Sequence, residues 1–469
     1  MASSQCIRPF LSCCVLLGLS GCVAVGPNHE VPTMALPAAF SQGGVQWKRH
    51  SPEPLPSPQQ WWRLYHDATL SSLIERSLKM NQDLKGSVAR LRQAREMSKV
   101  ARSLYFPDVN LGAIAERSQF RYRGPGEGVS VLSSNFSVPV DFRYEFDVWG
   151  KVSRQVESAS ASEAAAGETL NALRLSVAGE VAQTYWALRA VDANRAVLTR
   201  TLEIRRKALD LLTKRRDVGD ISGLDLARAE TEVATAEAER IRLDQDRIVL
   251  VNALAVLSGT LATGSAVAEQ TDLPPPPAVP LSVPSEVLRQ RPDIRAAERR
   301  VAAANANVGV ATAAFYPSFS LNASSGLEAA SPGGLFDASA LVWSLGSSVL
   351  VPITSQKLLQ AKRAAAVAAH EAASADYRQT VLESIREVEN ALQGSAILER
   401  RQVAQNRALA AARKTFELSV KRFQAGLVSF LDVVDAERTR LDAERATNAI
   451  RAERLAVSVS LIKALGGEW

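Results

Sequence analysis

The sequence predicts an α+β membrane protein: long antiparallel helical hairpins joined to four strands per chain, too few to close a barrel alone. Three observations predict it: a unit that occurs twice, two proline-free stretches rich in Ala, Leu, Arg and Glu, and an unbroken period-two alternation from Phe136 to Val148.

Composition sets the outer limits. With 46% hydrophobic and 22% charged residues among 469, the chain has enough apolar material for a sizeable core. No apolar run approaches the roughly 18 residues that a membrane-spanning helix needs, which excludes a multi-helix inner-membrane transporter. Lys plus Arg number 55 against 49 Asp plus Glu, a net charge of +6, but the basic residues are dispersed among acids. That dispersion argues against nucleic acid as a partner.

At the N-terminus, Arg8 precedes the apolar stretch Phe10 to Leu19, the layout of an export signal. All cysteines (Cys6, Cys13, Cys14 and Cys22) lie here, so no later disulfide or cysteine metal site is expected. Leu19-Ser20-Gly21-Cys22 resembles the lipobox of bacterial lipoproteins. The resemblance implies removal of residues 1–21 and a covalent lipid on Cys22 as the one attached group, with no other cofactor. Val23, where lipoproteins kept at the inner membrane usually resemble a pattern with Asp, implies the outer membrane. Residues 22–66 are then a lipidated extension.

The repeat organises the remainder. Gly219-Asp220-Ile221-Ser222-Gly223-Leu224-Asp225 aligns with Gly426-Leu427-Val428-Ser429-Phe430-Leu431-Asp432 at an offset of 207, as Gly259 does with Gly466. The first repeat is placed at 67–271 and the second at 285–469. Between them, 272–284 carries prolines at 274, 275, 276, 277, 280 and 284, an extended connector.

Each repeat has the same order of elements. A helix over Leu70 to Leu104, or Ser285 to Ala314, stops at an aromatic-Pro pair. Two strands follow, split by Gly124-Pro125-Gly126 or Pro332-Gly333-Gly334. Pro139 lacks an amide proton, so a bulge or a sheet edge is expected there. The long stretches Lys151 to Val218 and Gln356 to Ala425 then run to the Gly219 and Gly426 turns, and helices return over Leu224 to Leu257 and Leu431 to Leu465. At 1.5 Å per residue each outgoing helix would be on the order of 100 Å long, about three times the hydrocarbon core of a bilayer. Gly167, Gly179 and Gly394 either interrupt these helices or, as small residues, let neighbouring helices approach closely.

Closed small barrels need about eight strands, and lipid tolerates no open sheet edge. If the strands cross a membrane, several chains must share one barrel. The other possibility at this point is a soluble sheet beside a coiled coil.

Several motifs carry a family resemblance: Trp61-Trp62 with Asp67-Ala68-Thr69-Leu70, Asn81-Gln82-Asp83-Leu84, Phe146-Asp147-Val148-Trp149-Gly150-Lys151, and Arg291-Pro292-Asp293-Ile294 leading to Phe315-Tyr316-Pro317. With the two Gly-x-x-Ser-x-Leu-Asp tips, they resemble the TolC-like outer-membrane efflux family, more closely its lipoprotein branch of NodT or OprM type. The resemblance implies a homotrimer with a shared 12-stranded β-barrel in outer-membrane lipid and an α-barrel tunnel across the periplasm. It also implies a periplasmic adaptor at the hairpin tips and an inner-membrane pump, typically of the resistance-nodulation-division class, so that drugs or other small molecules pass outward. Type I protein secretion, metal-ion export and a non-conducting lipid-anchored scaffold are the alternatives.

No enzyme constellation is present: His29, His50, His66 and His370 are scattered, and no phosphate loop appears, so conduction is expected to be passive. Asp432 and Asp435 share a helix face after the Gly426 tip. The resemblance implies a gate of carboxylates there; the other reading is that Asp432 caps its helix with Ser429, as Asp225 does with Ser222, and that Asp435 is solvated. Gly219 and Gly426, with Ser222, Asp225 and Ser429, are the candidates for the tip turns and for adaptor contact. Trp61 and Trp62 either belong to a membrane aromatic belt or, from their place before a helix, pack around the equator of the tunnel.

Overall fold

A computed structural model describes residues 24–35, 60–122, 129–219, 221–264, 266–278 and 291–467. Cys22 and the Gly124-Pro125-Gly126 loop lie outside the described residues. The chain forms two compact units. One takes Leu91–Ala166 and Ala297–Tyr377 with the N-terminal segment through Pro32; the other takes Thr33–Arg90, Gly167–Ala296 and Arg378–Trp469.

In chain order the helices are α1 (Ala68–Met80), α2 (Gln82–Ser103), α3 (Lys151–Asp217), α4 (Gly223–Leu257), α5 (Pro292–Ala313), α6 (Gln356–Gln424) and α7 (Phe430–Ala464). The strands are β1 (Asp108–Leu111), β2 (Ile114–Tyr122), β3 (Val129–Phe146), β4 (Ser318–Ala329) and β5 (Leu341–Leu350). None of the described helices is long and apolar enough to cross a membrane.

The first unit is built on the sheet, ordered β1-β3-β4-β5 with β2 also on β3, all antiparallel. Five strands appear where the sequence led us to expect four. β1 and β2 nevertheless keep one register along β3, since Leu111 faces Val140 and Ile114 faces Ser137. They are one line interrupted at Gly112, opposite Pro139, which has no N–H to complete the pair. Gly112 N donates to the Pro139 carbonyl at 2.9 Å, and the reciprocal bond is absent.

Pro139 is therefore in a central strand, without a bulge, against the expectation of an edge or bulge. The sheet accommodates it by placing glycine on both sides: Gly112 on one, Gly326 on the other. β3 also begins at Val129, before the alternating run. Its first half is rich in serine and is held by the β2 ladder, so hydrophobic alternation does not mark it.

The expected single helix over Leu70 to Leu104 is two helices. Asn81 leaves helical geometry (φ −56°, ψ 133°), and its side chain accepts from Leu84 N while donating to the Leu257 carbonyl. One amide thus ends α1, caps α2 and ties both to the end of α4. By contrast, α3 runs unbroken through Gly167 and Gly179, and α6 through Gly394. A Cβ on Gly179 would meet Val459 and Lys463, and one on Gly394 would meet Val457, so at both positions glycine lies against the side chains of α7.

The second unit holds the hairpins α3–α4 and α6–α7 from Gly167 and Arg378 onward. All four helices end on glycine with positive φ: Gly219, Gly259, Gly426 and Gly466. At the last three, paired return bonds close the end, as in Gly426 N to Phe423 O and Leu427 N to Arg422 O. This is the Schellman arrangement, which left-handed glycine makes accessible. Small apolar clusters hold the hairpins together, for example Leu198, Leu202, Ala236, Leu243 and Leu441. Residues 272–278 of the connector are neither helix nor strand, and the rest of it lies outside the described residues.

Candidate functional site

Most of the candidate residues fall at the hairpin tips. Gly219 and Gly426 have φ of 78° and 71°, and a Cβ on either would touch nothing within 4 Å. Conformation, not crowding, requires glycine at both. In α7, Ser429 N donates to Asp432 Oδ2 at 2.9 Å and Ser429 Oγ to the same oxygen at 2.6 Å. The first repeat matches it: Ser222 Oγ donates to Asp225 Oδ2 at 2.8 Å and accepts from Asp225 N.

The Ser429 hydroxyl and amide hold the Asp432 carboxyl below its ordinary range. Within one chain Asp432 is therefore a capping residue that stays ionised. Asp432 and Asp435 are both exposed. Asp435 lies beside Arg438, whereas Asp225 has Arg228 at 3.7 Å.

Just behind the tips lies a buried ion cluster that the sequence reading missed. Arg205 of α3 contacts Glu232 of α4 and Glu437 of α7, each at 3.0 Å. Arg438 of α7 closes onto Glu232 from the rim. One heptad further along, Arg445 meets Glu239, which also accepts from Arg242. These arginines, Arg242 foremost, hold the Glu239 carboxyl down to about 2. The signal was present in the sequence: Glu232 and Glu239 are seven apart, as are Arg438 and Arg445, the repeat of a charged coiled-coil flank.

Trp61 and Trp62 are buried in the second unit, in edge-to-face contact with each other, and Trp61 also meets Tyr65. They are packing residues and not a membrane belt. Tyr185 donates to Asp67 Oδ2 at 2.5 Å while Asp67 Oδ1 caps α1 at Leu70 N, which explains the acid of that motif. Burial and this bond push the Tyr185 phenol well above its ordinary value. Arg291, also buried, reaches Asp293, Glu387 and the Ala464 carbonyl, fastening the start of α5 to the end of α7.

In the first unit, the junction between β3 and α3 receives the N-terminal segment. Asp147 caps α3 through Val152 N and Ser153 N, and Trp149 Nε1 donates to the Pro317 carbonyl. Val25 N donates to Trp149 O, and a Cβ on Gly150 would fall 2.6 Å from the Ala24 Cα. Arg154 reaches the Val25 carbonyl and Asn28, Asn305 reaches the Pro27 carbonyl, and His29 meets Glu298 at 2.9 Å.

Comparison with known proteins fits this architecture. A profile described as outer membrane efflux protein matches residues 73–260 and 283–467. The toluene efflux pump outer membrane protein TtgF of Pseudomonas putida is 28% identical over 467 residues, covering 98% of this chain and 97% of that one. The pyoverdine export outer membrane protein OpmQ of Pseudomonas aeruginosa is 31% identical, covering 88% of each. Among solved structures, the outer-membrane channel OprN superposes with a TM-score of 0.87 at 31% identity, over 95% of this chain and 99% of that one. VceC of Vibrio cholerae gives 0.82 at 29%, over 88% of this chain and 100% of that one.

Proposed function

Because the chain belongs to the outer membrane efflux protein family, we propose that three copies close one β-barrel in the outer membrane and passively conduct small molecules delivered by a periplasmic adaptor and an inner-membrane pump. The observation that carries the proposal is the sheet. It is four strands wide and open at both edges, and β5 is exposed along its whole length with Leu341, Trp343, Leu345 and Val349 among its residues. Such edges require partners in lipid, and a second copy supplies them in kind. The hairpin tips, turned by Gly219 and Gly426, are the surface offered to the adaptor, with Asp432 and Asp435 as the acidic gate. Toluene and pyoverdine appear in the names of relatives and mark small organic molecules as the cargo class.

A covalent lipid on Cys22 completes the assignment. Ala24, two residues on, rests on Gly150 where strands give way to helices, a position suited to a membrane tether.

Two experiments test this. Purified protein in a planar bilayer should conduct ions, and absence of any conductance would favour the non-conducting scaffold. Leu345→Cys paired with single cysteines along β2 should give an oxidised species of three linked chains; monomer at every pairing would overturn the shared barrel.

A further inference from the structure

Between the hairpins, a short way behind the tips, lies a cleft walled by hydrocarbon. α3 contributes Ile204, Ala208 and Leu211, and α6 contributes Phe416, Val420 and Phe423. Glu232 and Glu437 line it as well, and the two are not equally satisfied. Both oxygens of Glu232 face arginine, Arg205 at 3.0 Å and Arg438. Glu437 is 6% exposed; its Oε2 takes only Arg205 Nε, and its Oε1 is buried with no hydrogen-bond partner.

Charge follows the same asymmetry. Arg205, itself buried, is divided between two buried carboxylates, while the side chain of Arg438 is 56% exposed and screened by water. Arg440, over the Phe416 ring at 4.9 Å, is engaged with Glu444. In the buried core of the cluster one guanidinium, Arg205, thus faces two carboxylates beside apolar walls, with one acceptor oxygen bare; the other nearby cations lie over the outer rings, Arg440 on Phe416 and Arg215 at 5.9 Å from the Phe423 centroid. Buried carboxylates are costly unless paired and hydrogen-bonded, so the missing element is a cation with an N–H.

We infer that this cleft binds a small lipophilic ammonium ion. Its hydrocarbon body lies against Phe416, Val420 and Phe423, and its N–H donates to Glu437 Oε1. Few polar groups at the end of an apolar recess is the usual construction of a small-molecule site. A neutral hydrocarbon would leave Oε1 bare, and an anion would meet like charge.

Calorimetric titration of the purified full-length protein in detergent tests this with three probes of one shape: 1-adamantylammonium, 1-adamantanol and 1-adamantanecarboxylate. The ammonium should bind saturably, one per chain, at least about tenfold tighter than either of the others. Glu437→Gln keeps the shape and removes the charge, and should erase that preference. Ala208→Phe fills the recess while leaving every member of the ion cluster in place, and should abolish binding while the melting temperature holds. Equal affinity for all three probes, no saturable binding by wild type, or full binding by Ala208→Phe would each overturn the assignment. If Glu437→Gln fails to assemble, the wild-type probe series and Ala208→Phe decide.

Discussion

Gly326 of β4 stands directly across from Pro139 of β3, so close that a Cβ on Gly326 would lie 2.3 Å from the Val138 carbonyl oxygen. Backbone cannot yield as a side-chain end can. Gly326→Val should therefore destabilise the sheet by about 1–3 kcal/mol, the usual range for overpacking. Gly112→Ala, whose Cβ would meet Pro139 Cγ at an ordinary 3.5 Å, should cost far less. The fraction of heat-resistant oligomer on gels measures both; equal losses would mean that strand pairing at Pro139 is not the constraint.

At the tips, Gly426→Ala should cost about 1 kcal/mol because alanine resists positive φ, and Gly426→Asn should recover part of it. Thermal melts by circular dichroism give the order. If the glycine also serves the adaptor, Gly426→Asn will be stable yet fail to restore drug export in a strain lacking the channel.

Asp432 carries a definite pH dependence. Its folded value is depressed, so its stabilising contribution is present above the unfolded carboxylate value of about 3.9 and disappears as pH falls through the folded one. Asp432→Asn should flatten the acid side of the stability curve. As a gate, replacing Asp432 and Asp435 together with Ala should raise single-channel conductance or weaken block by divalent cations. Conductance and block that both match wild type would dispose of the gate and leave only the cap.

Arg205 and Arg438 both serve Glu232 but differ in exposure. Arg205→Ala strands the buried Glu437 carboxylate and leaves Glu232 with Arg438 alone, and should cost about 3–5 kcal/mol, whereas Arg438→Ala at the rim should cost under about 1 kcal/mol. Urea midpoints for the two variants check the ranking.

For the anchor, Cys22→Ser should abolish incorporation of radioactive palmitate. Label retained on the variant would place the lipid elsewhere.

How legible the protein was in its sequence varied by element. Proline-free, alanine-rich composition announced α3 and α6, and period-two alternation announced the second half of β3. Asn81, although part of a family motif, was not legible as a helix break because it ends one helix and caps the next through contacts with Leu84 and Leu257, the latter far away in sequence. Pro139 misled because its cost is met by glycines on two neighbouring strands, which no local window shows. At the tips, Ser429 and Asp432 were readable as a local cap. The buried status of Arg205, Glu232 and Glu437 was not, since it arises only when three helices meet, although the heptad spacing of Arg438 and Arg445 hinted at it.

The seating of residues 24–32 bears on the order in which the molecule matures. Pro27 and His29 bond to Asn305 and Glu298, separated from them by 278 and 269 positions. Those contacts do not exist until the second repeat has been synthesised and folded. This segment leaves the ribosome well before its partners and is among the last to settle, so the chain closes on its own early residues only when its later ones are in place.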